Sequence, residues 1–301
     1  MVSILKEAGI KANYVLITAG EGAKGLWEDF ASPYFNHAIA CVPNDKDTLW
    51  LECTSQTVSC GFMGSFTGNR KALLIADDGG HVVNTPVYKK GDNSQLRKIT
   101  ATVDGAGNLI ADVYTNSTGL QQEDQHRLIH NYSKEERNKV LNTAFDLPTY
   151  SVESEDYKEV KGKIPLVVEH LKLNVQGYAS LTETRLFIQP NLLNKNNTKL
   201  NSDKPRLLPI VYPYSFTDVD TVSITLPYNY VPESLPKDIT ISNKFGRYSI
   251  SYKVSNNKID VLRKYEREAA TFPPSDFGDL AKFYEEINKA DHSKIVLLRK
   301  G

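Results

Sequence analysis

His37 and Glu52 are the two side chains whose types and spacing could do chemistry together. The segments Phe35-Asn-His-Ala-Ile-Ala-Cys-Val42 and Thr48-Leu-Trp-Leu-Glu52 flank Pro43-Asn-Asp-Lys-Asp47, a stretch of turn-forming composition, and read as a β-hairpin. With Asn44-Asp45 as the turn, Cys41 faces Thr48, Ile39 faces Trp50 and His37 faces Glu52. Opposed residues on antiparallel strands project to one side, with Cβ atoms about 5 Å apart. The spacing therefore predicts an imidazole beside a carboxylate. A carboxylate accepting from one ring nitrogen fixes the tautomer and supports an imidazolium, leaving the other nitrogen to take a proton. That is the base-and-orienter half of a nucleophilic triad. The same spacing also suits a plain His–Glu pair on a solvated sheet face, so spacing alone does not choose between them.

A nucleophile would complete the triad, and a cysteine thiol is one side chain able to serve. Cys41 shares the His37 face but lies four residues along the strand, ~13 Å away at ~3.3 Å per residue. Cys53 alternates to the face opposite Glu52, and Cys60 follows an irregular stretch that leaves its position open. The odd cysteine count and loose spacing argue against a disulfide framework. Trp50, Trp27 and Tyr34 are candidates to line a substrate groove, with core or loop packing as the competing role. His126 and His130 are four apart, but no third ligand is evident, and they read as solvated histidines. The expectation is no metal and no cofactor.

These residues must be positioned by a chain of 301 residues, long enough for two domains. Lys plus Arg equals Asp plus Glu at 36 each, so the charge balance gives no reason to expect nucleic acid or an anionic membrane surface. No apolar run reaches the ~20 residues of a transmembrane helix. Met1 to Ala8 reads as a helix stopped by Gly9, followed by a strand over Ala12–Ile17 and a glycine-rich loop over 18–33. Further strands are predicted at Lys71–Ile75 and Val82–Val87, and the polar run Lys89-Lys-Gly-Asp-Asn-Ser94 marks a boundary between domains 1–92 and 93–301.

Beyond it strands dominate. Leu96–Val103 and Leu109–Tyr114 flank the turn Asp104-Gly-Ala-Gly-Asn108, and others follow at Tyr157–Val160, Leu166–Val175, Ala179–Ile188, Leu207–Tyr212 and Thr221–Leu226. Ile239–Ile241, Tyr248–Val254, Ile259–Lys264, Glu266–Phe272 and Lys294–Leu298 complete the set. Two helices interrupt it: one opened by the capping box of Ser133 and Glu136 and running to about Phe145, and one over Phe277–Ala290. The expected class is α+β, an antiparallel sheet followed by a mostly-β, sandwich-like domain with two helices.

Lys6-Glu-Ala-Gly-Ile-Lys-Ala-Asn-Tyr-Val-Leu-Ile17, Phe35-Asn-His-Ala-Ile39 and Trp50-Leu-Glu-Cys-Thr54, in this order, resemble the end of the nucleophile helix, the histidine motif and the acidic motif of the transglutaminase-like (papain-type) superfamily. The acidic motif is more usually Trp-Leu-Asp-x-Thr, so Glu52 adds one methylene. Asp104-Gly-Ala-Gly-Asn108, Arg206-Leu-Leu-Pro-Ile210, Leu226-Pro-Tyr-Asn-Tyr230 and Leu235-Pro236 resemble the β-domain of unknown function in bacterial, exported proteins of this kind. The resemblance implies a cysteine at the start of the helix that here ends at Ala8. It further implies a thioester formed there, a peptide or protein substrate, His37 as general base and acid, and Glu52 as its orienter.

The cysteine is absent from the chain, which therefore reads as the inactive C-terminal part of a longer cysteine-type peptidase or transamidase. The alternative, from another class, is a non-enzymatic binding or scaffolding β-protein built on the same platform. Val2, Ile4 and Leu5 are expected to pack on the hairpin face carrying Ala38, Ala40, Leu49 and Leu51.

Overall fold

The computed structural model describes residues 1–20, 26, 35–44, 47–201 and 205–300. The fold is mostly β with several helices, as the expected α+β class requires. Helix α1 (Val2–Glu7) stops where Gly9 takes φ +75°, and the amides of Gly9 and Ile10 donate to the Lys6 and Leu5 carbonyls. Glycine adopts that left-handed stop without a Cβ clash. Helix α1 buries none of its residues: Val2 and Leu5 are half-buried and Ile4 is 71% exposed, against the expectation that all three would pack on the hairpin. A six-residue helix offers too narrow a stripe to bury.

The first sheet is antiparallel throughout. Its strands β1 (Asn13–Ile17), β2 (His37–Asn44), β3 (Asp47–Leu51), β4 (Lys71–Ala76) and β5 (Gly79–Asn84) lie in the order β3-β2-β1-β4-β5. The short helix α2 (Gly64–Thr67) separates β3 from β4. One face buries Val15, Ile17, Ile39, Cys41, Trp50 and Ala72 against Met63.

The hairpin register differs from the expected one by two residues. Cys41 pairs with Trp50 and Asn44 with Asp47, because pairing continues through Pro43 and Asn44 instead of turning at Asn44-Asp45. Residues 45 and 46 lie outside the described residues. An even shift preserves the pleat, so His37 and Glu52 remain on one face; an odd shift would have separated them.

The remaining chain runs through β6 (Ser94–Val103), β7 (Leu109–Thr118), α3 (Glu123–Asn131), α4 (Lys134–Leu141), β8 (Tyr150–Val160), β9 (Leu166–Val175), β10 (Ser180–Leu181), β11 (Arg185–Ile188), β12 (Ile210–Tyr212) and β13 (Phe216–Thr225). It continues through β14 (Tyr230–Ser234), β15 (Ile239–Asn243), β16 (Gly246–Ser255), β17 (Lys258–Arg267), β18 (Ala270–Phe272), α5 (Phe277–Asp291) and β19 (Ile295–Arg299). An eight-stranded sheet has the order β15-β16-β17-β13-β6-β7-β9-β8, with β6 and β13 its one parallel pair among the described residues.

The alternating inward residues of this sheet, among them Ile99, Val113 and Leu171, share one core with Leu186 and Leu297 of the four-stranded sheet β10-β11-β19-β14 and with Phe283 of α5. A small β12–β18 pair completes the set.

The boundaries depart from expectation in places. Helix α3 is not anticipated from the sequence: it is polar on average and buries no residue fully. The Ser133–Glu136 capping box forms, but α4 ends at Leu141. Ala179–Ile188 is two strands that pair with each other, β10 and β11, and Glu266–Phe272 is divided between β17 and β18.

Candidate active site

The end of β2 is fixed before His37 is reached. Asn36 accepts from the Ala19 amide at 2.7 Å and returns a bond from its own amide nitrogen to the Ala19 carbonyl at 3.1 Å. Arg70 donates to the carbonyls of Thr18, Gly20, Ser65 and Gly68, drawing the end of β1 and helix α2 together. Planar guanidinium donors suit such a convergence of carbonyls.

Within this frame His37 Nε2 lies 2.9 Å from Oε2 and 3.1 Å from Oε1 of Glu52. Both side chains are shielded, at 13% and 8% exposure, so the pair is not a solvated surface contact. Glu52 is itself held: Oε1 accepts from the Thr54 amide at 3.1 Å and the Thr54 hydroxyl at 2.7 Å. Burial pushes the Glu52 carboxyl up, but the bonds from Thr54 and His37 outweigh it and keep it below its ordinary value. The carboxylate engages the imidazole through Nε2 and not Nδ1. The edge of Phe66 meets the imidazole at a centroid distance of 5.2 Å and an interplanar angle of 74°.

Phe66 is carried by α2, and α2 is fixed from the second part of the chain. Glu123 at the start of α3 accepts from the Ser65 amide at 2.7 Å and the Ser65 hydroxyl at 2.6 Å. Gly64 stands at φ +62°, and a Cβ there would come 2.5 Å from Glu123 Oε1, so this approach requires glycine. The sequence reading missed Phe66 and Glu123, which belong to no local pattern. Thr54 was visible as the last residue of Trp50-Leu-Glu-Cys-Thr54.

The other sequence candidates fall elsewhere. Trp50 is buried in the core under the sheet beside Cys41, not in an open groove. Trp27 and Tyr34 lie outside the described residues. Cys41 is buried, and burial pushes its thiol up. Cys53 is exposed; desolvation, with Glu52 second, likewise raises its thiol. Neither environment favours a thiolate. Cys60 is exposed in the turn after Ser59.

Comparison with known proteins gives two findings. A family described as a domain of unknown function with a solved structure, DUF3858, matches residues 184–297. The fold is similar to the crystal structure of a protein from Parabacteroides distasonis that is provisionally described as a protease, with a TM-score of 0.50 and 12% identity. That similarity covers 99% of this chain and 42% of the other, so the chain spans less than half the length of the protein it matches. No curated protein sequence matches the chain.

Proposed function

We propose that His37 and Glu52 are the base and orienter of a cysteine-type acyl-transfer centre of the transglutaminase-like kind. The observation that carries this reading is the shielded imidazole with one nitrogen held by a carboxylate that is itself anchored by Thr54. The fold likeness to a structure provisionally described as a protease is in keeping with it. In this reading residues 1–92 are the catalytic-side domain and 93–301 a β-rich domain that supports it through α3.

The chemistry follows from the pair. Nδ1 of His37 takes the thiol proton as sulfur bonds to the substrate carbonyl carbon. The imidazolium, stabilised by Glu52, returns the proton to the amine nitrogen as the carbon–nitrogen bond breaks. Water or a second amine then attacks the thioester, giving hydrolysis or transfer, with a peptide or protein as substrate. In this reading the sulfur is supplied neither by Cys41, which is buried with its thiol pushed up, nor by Cys53, whose thiol is likewise pushed up, and the nucleophile is proposed to lie outside the 301 residues.

Iodoacetamide labelling tests the assignment. In this chain, Cys41, Cys53 and Cys60 are expected to alkylate at rates unchanged by His37→Ala, and no peptidase or amine-transfer activity is expected. Rapid labelling of one of them that disappears in His37→Ala would identify a nucleophile inside the chain and overturn the assignment.

A further inference from the structure

His126 and His130 occupy positions i and i+4 of α3, so their imidazoles share one face of the helix, with ring centroids 4.4 Å apart. The third ligand that the sequence did not reveal comes from the neighbouring strand. Glu159 of β8 lies with Oε1 2.7 Å from His126 Nδ1 and Oε2 2.8 Å from His130 Nε2. One nitrogen from each ring and a carboxylate oxygen all fall within 4.8 Å of one another. We propose that His126, His130 and Glu159 form a binding site for one divalent first-row transition-metal ion, with zinc the best fit.

Three features support an ion over a simple hydrogen-bonded cluster. First, tetrahedral bonds of about 2.0–2.1 Å to nitrogen and oxygen put ligand atoms roughly 3.3 Å apart, a spacing the three groups, with ligand atoms all within 4.8 Å, reach by a spreading of the carboxylate contacts and a convergence of the rings on the ion. Second, the opposite nitrogen of His126, Nε2, lies 3.1 Å from the Thr57 hydroxyl. A metal-bound imidazole characteristically uses its other nitrogen for an outer hydrogen bond that fixes its orientation. Third, the three side chains are partly exposed, and a small cleft lined by Thr57, Ser59, Gln122, His126, Glu159 and Pro165 opens beside them. It supplies an entry path and room for water as a fourth ligand. Two imidazoles and one carboxylate select zinc, cobalt or nickel over magnesium or calcium.

The position gives such an ion a structural consequence. Thr57 belongs to the segment that follows Glu52, and Ser59 of the same segment exchanges bonds with Gly162 in the β8–β9 connection. Within it, the Ser55 hydroxyl accepts from the amides of Thr57 and Val58 at 3.3 and 3.2 Å. A metal on α3 and β8 would brace this seam between the first sheet and the eight-stranded sheet.

The test uses the whole chain, stripped with a chelator and titrated with zinc alone, by calorimetry or competition with a chromophoric chelator. One zinc per chain is expected. Binding should weaken at least about tenfold in both His130→Gln and Glu159→Gln and stay unchanged in His81→Gln, whose imidazole pairs with Asp78 elsewhere. Cobalt in place of zinc should give visible bands of a four-coordinate ion without thiolate charge transfer. Circular dichroism checks that each variant is folded; should Glu159→Gln not fold, His130→Gln decides alone. Absence of binding, binding that survives His130→Gln, or a thiolate band pointing to Cys53 or Cys60 would overturn the proposal.

Discussion

Asp291→Ala is expected to destabilise the protein by about 3–5 kcal/mol, because it leaves a buried guanidinium without its main counter-charge. Asp291 is 1% exposed at the C-terminal end of α5. Its Oδ1 accepts from Arg263 Nε at 2.8 Å, the Tyr248 hydroxyl at 2.6 Å and Asn191 at 2.7 Å. Its Oδ2 accepts from Arg263 Nη2 at 3.2 Å and the Asn196 amide at 3.0 Å. The variant keeps Arg263, Tyr248 and Asn191 buried and removes their acceptor, which costs far more than replacing the whole cluster with apolar groups would. Arg263 retains its contact with Asp220, at 3.2 Å. Thermal or urea denaturation reads the effect, with a fall in midpoint on the order of 10 °C. A loss below about 1 kcal/mol would show that the network contributes no more than a surface pair.

Asp218→Asn should act in the opposite direction. Asp218 sits on β13 beside that network, and its carboxyl is pushed up to about 7, first by burial and then by Asp220, against the opposing pull of Arg263, Arg97 and Arg267. An unfolded aspartate ionises near pH 4. Between the two values the unfolded chain releases a proton that the folded protein retains, so this residue lowers stability as pH rises from about 4 to about 7 and no further above that. Asparagine keeps a carbonyl oxygen for the bond that Gln121 donates at 2.7 Å and has no charge to bury. The variant is therefore expected to gain on the order of 2 kcal/mol at pH 8, with the gain vanishing below about pH 4. Stability curves at several pH values would show it; a gain independent of pH would assign the effect to packing.

These charges illustrate what the sequence could and could not convey. Hairpin periodicity brought His37 and Glu52 to one face although the register was displaced by two residues, because side-chain direction depends only on parity. The strands of the eight-stranded sheet were similarly legible, since β6, β7 and β9 alternate apolar and polar residues. Helix α3 was not legible, because what holds it in place is polar: Glu123 on Ser65, and His126 on Thr57 and Glu159.

Partners at large sequence separation leave no local period to read. Glu159 is 33 residues from His126, and the pair is visible only once β8 lies beside α3. The same applies to Phe66, which reaches His37 through a four-residue helix with no periodic signal.

The state of the His37 imidazole tests the central claim most directly. In the isotopically labelled chain, long-range proton–nitrogen correlation distinguishes the protonated ring nitrogen from the bare one. With the ring neutral, the proton is expected on Nε2, facing Glu52, and the lone pair on Nδ1, with a mixture of tautomers in Glu52→Gln. A proton on Nδ1 with Nε2 bare, or a spectrum that Glu52→Gln leaves unchanged, would contradict the assignment of Glu52 as orienter and His37 as base.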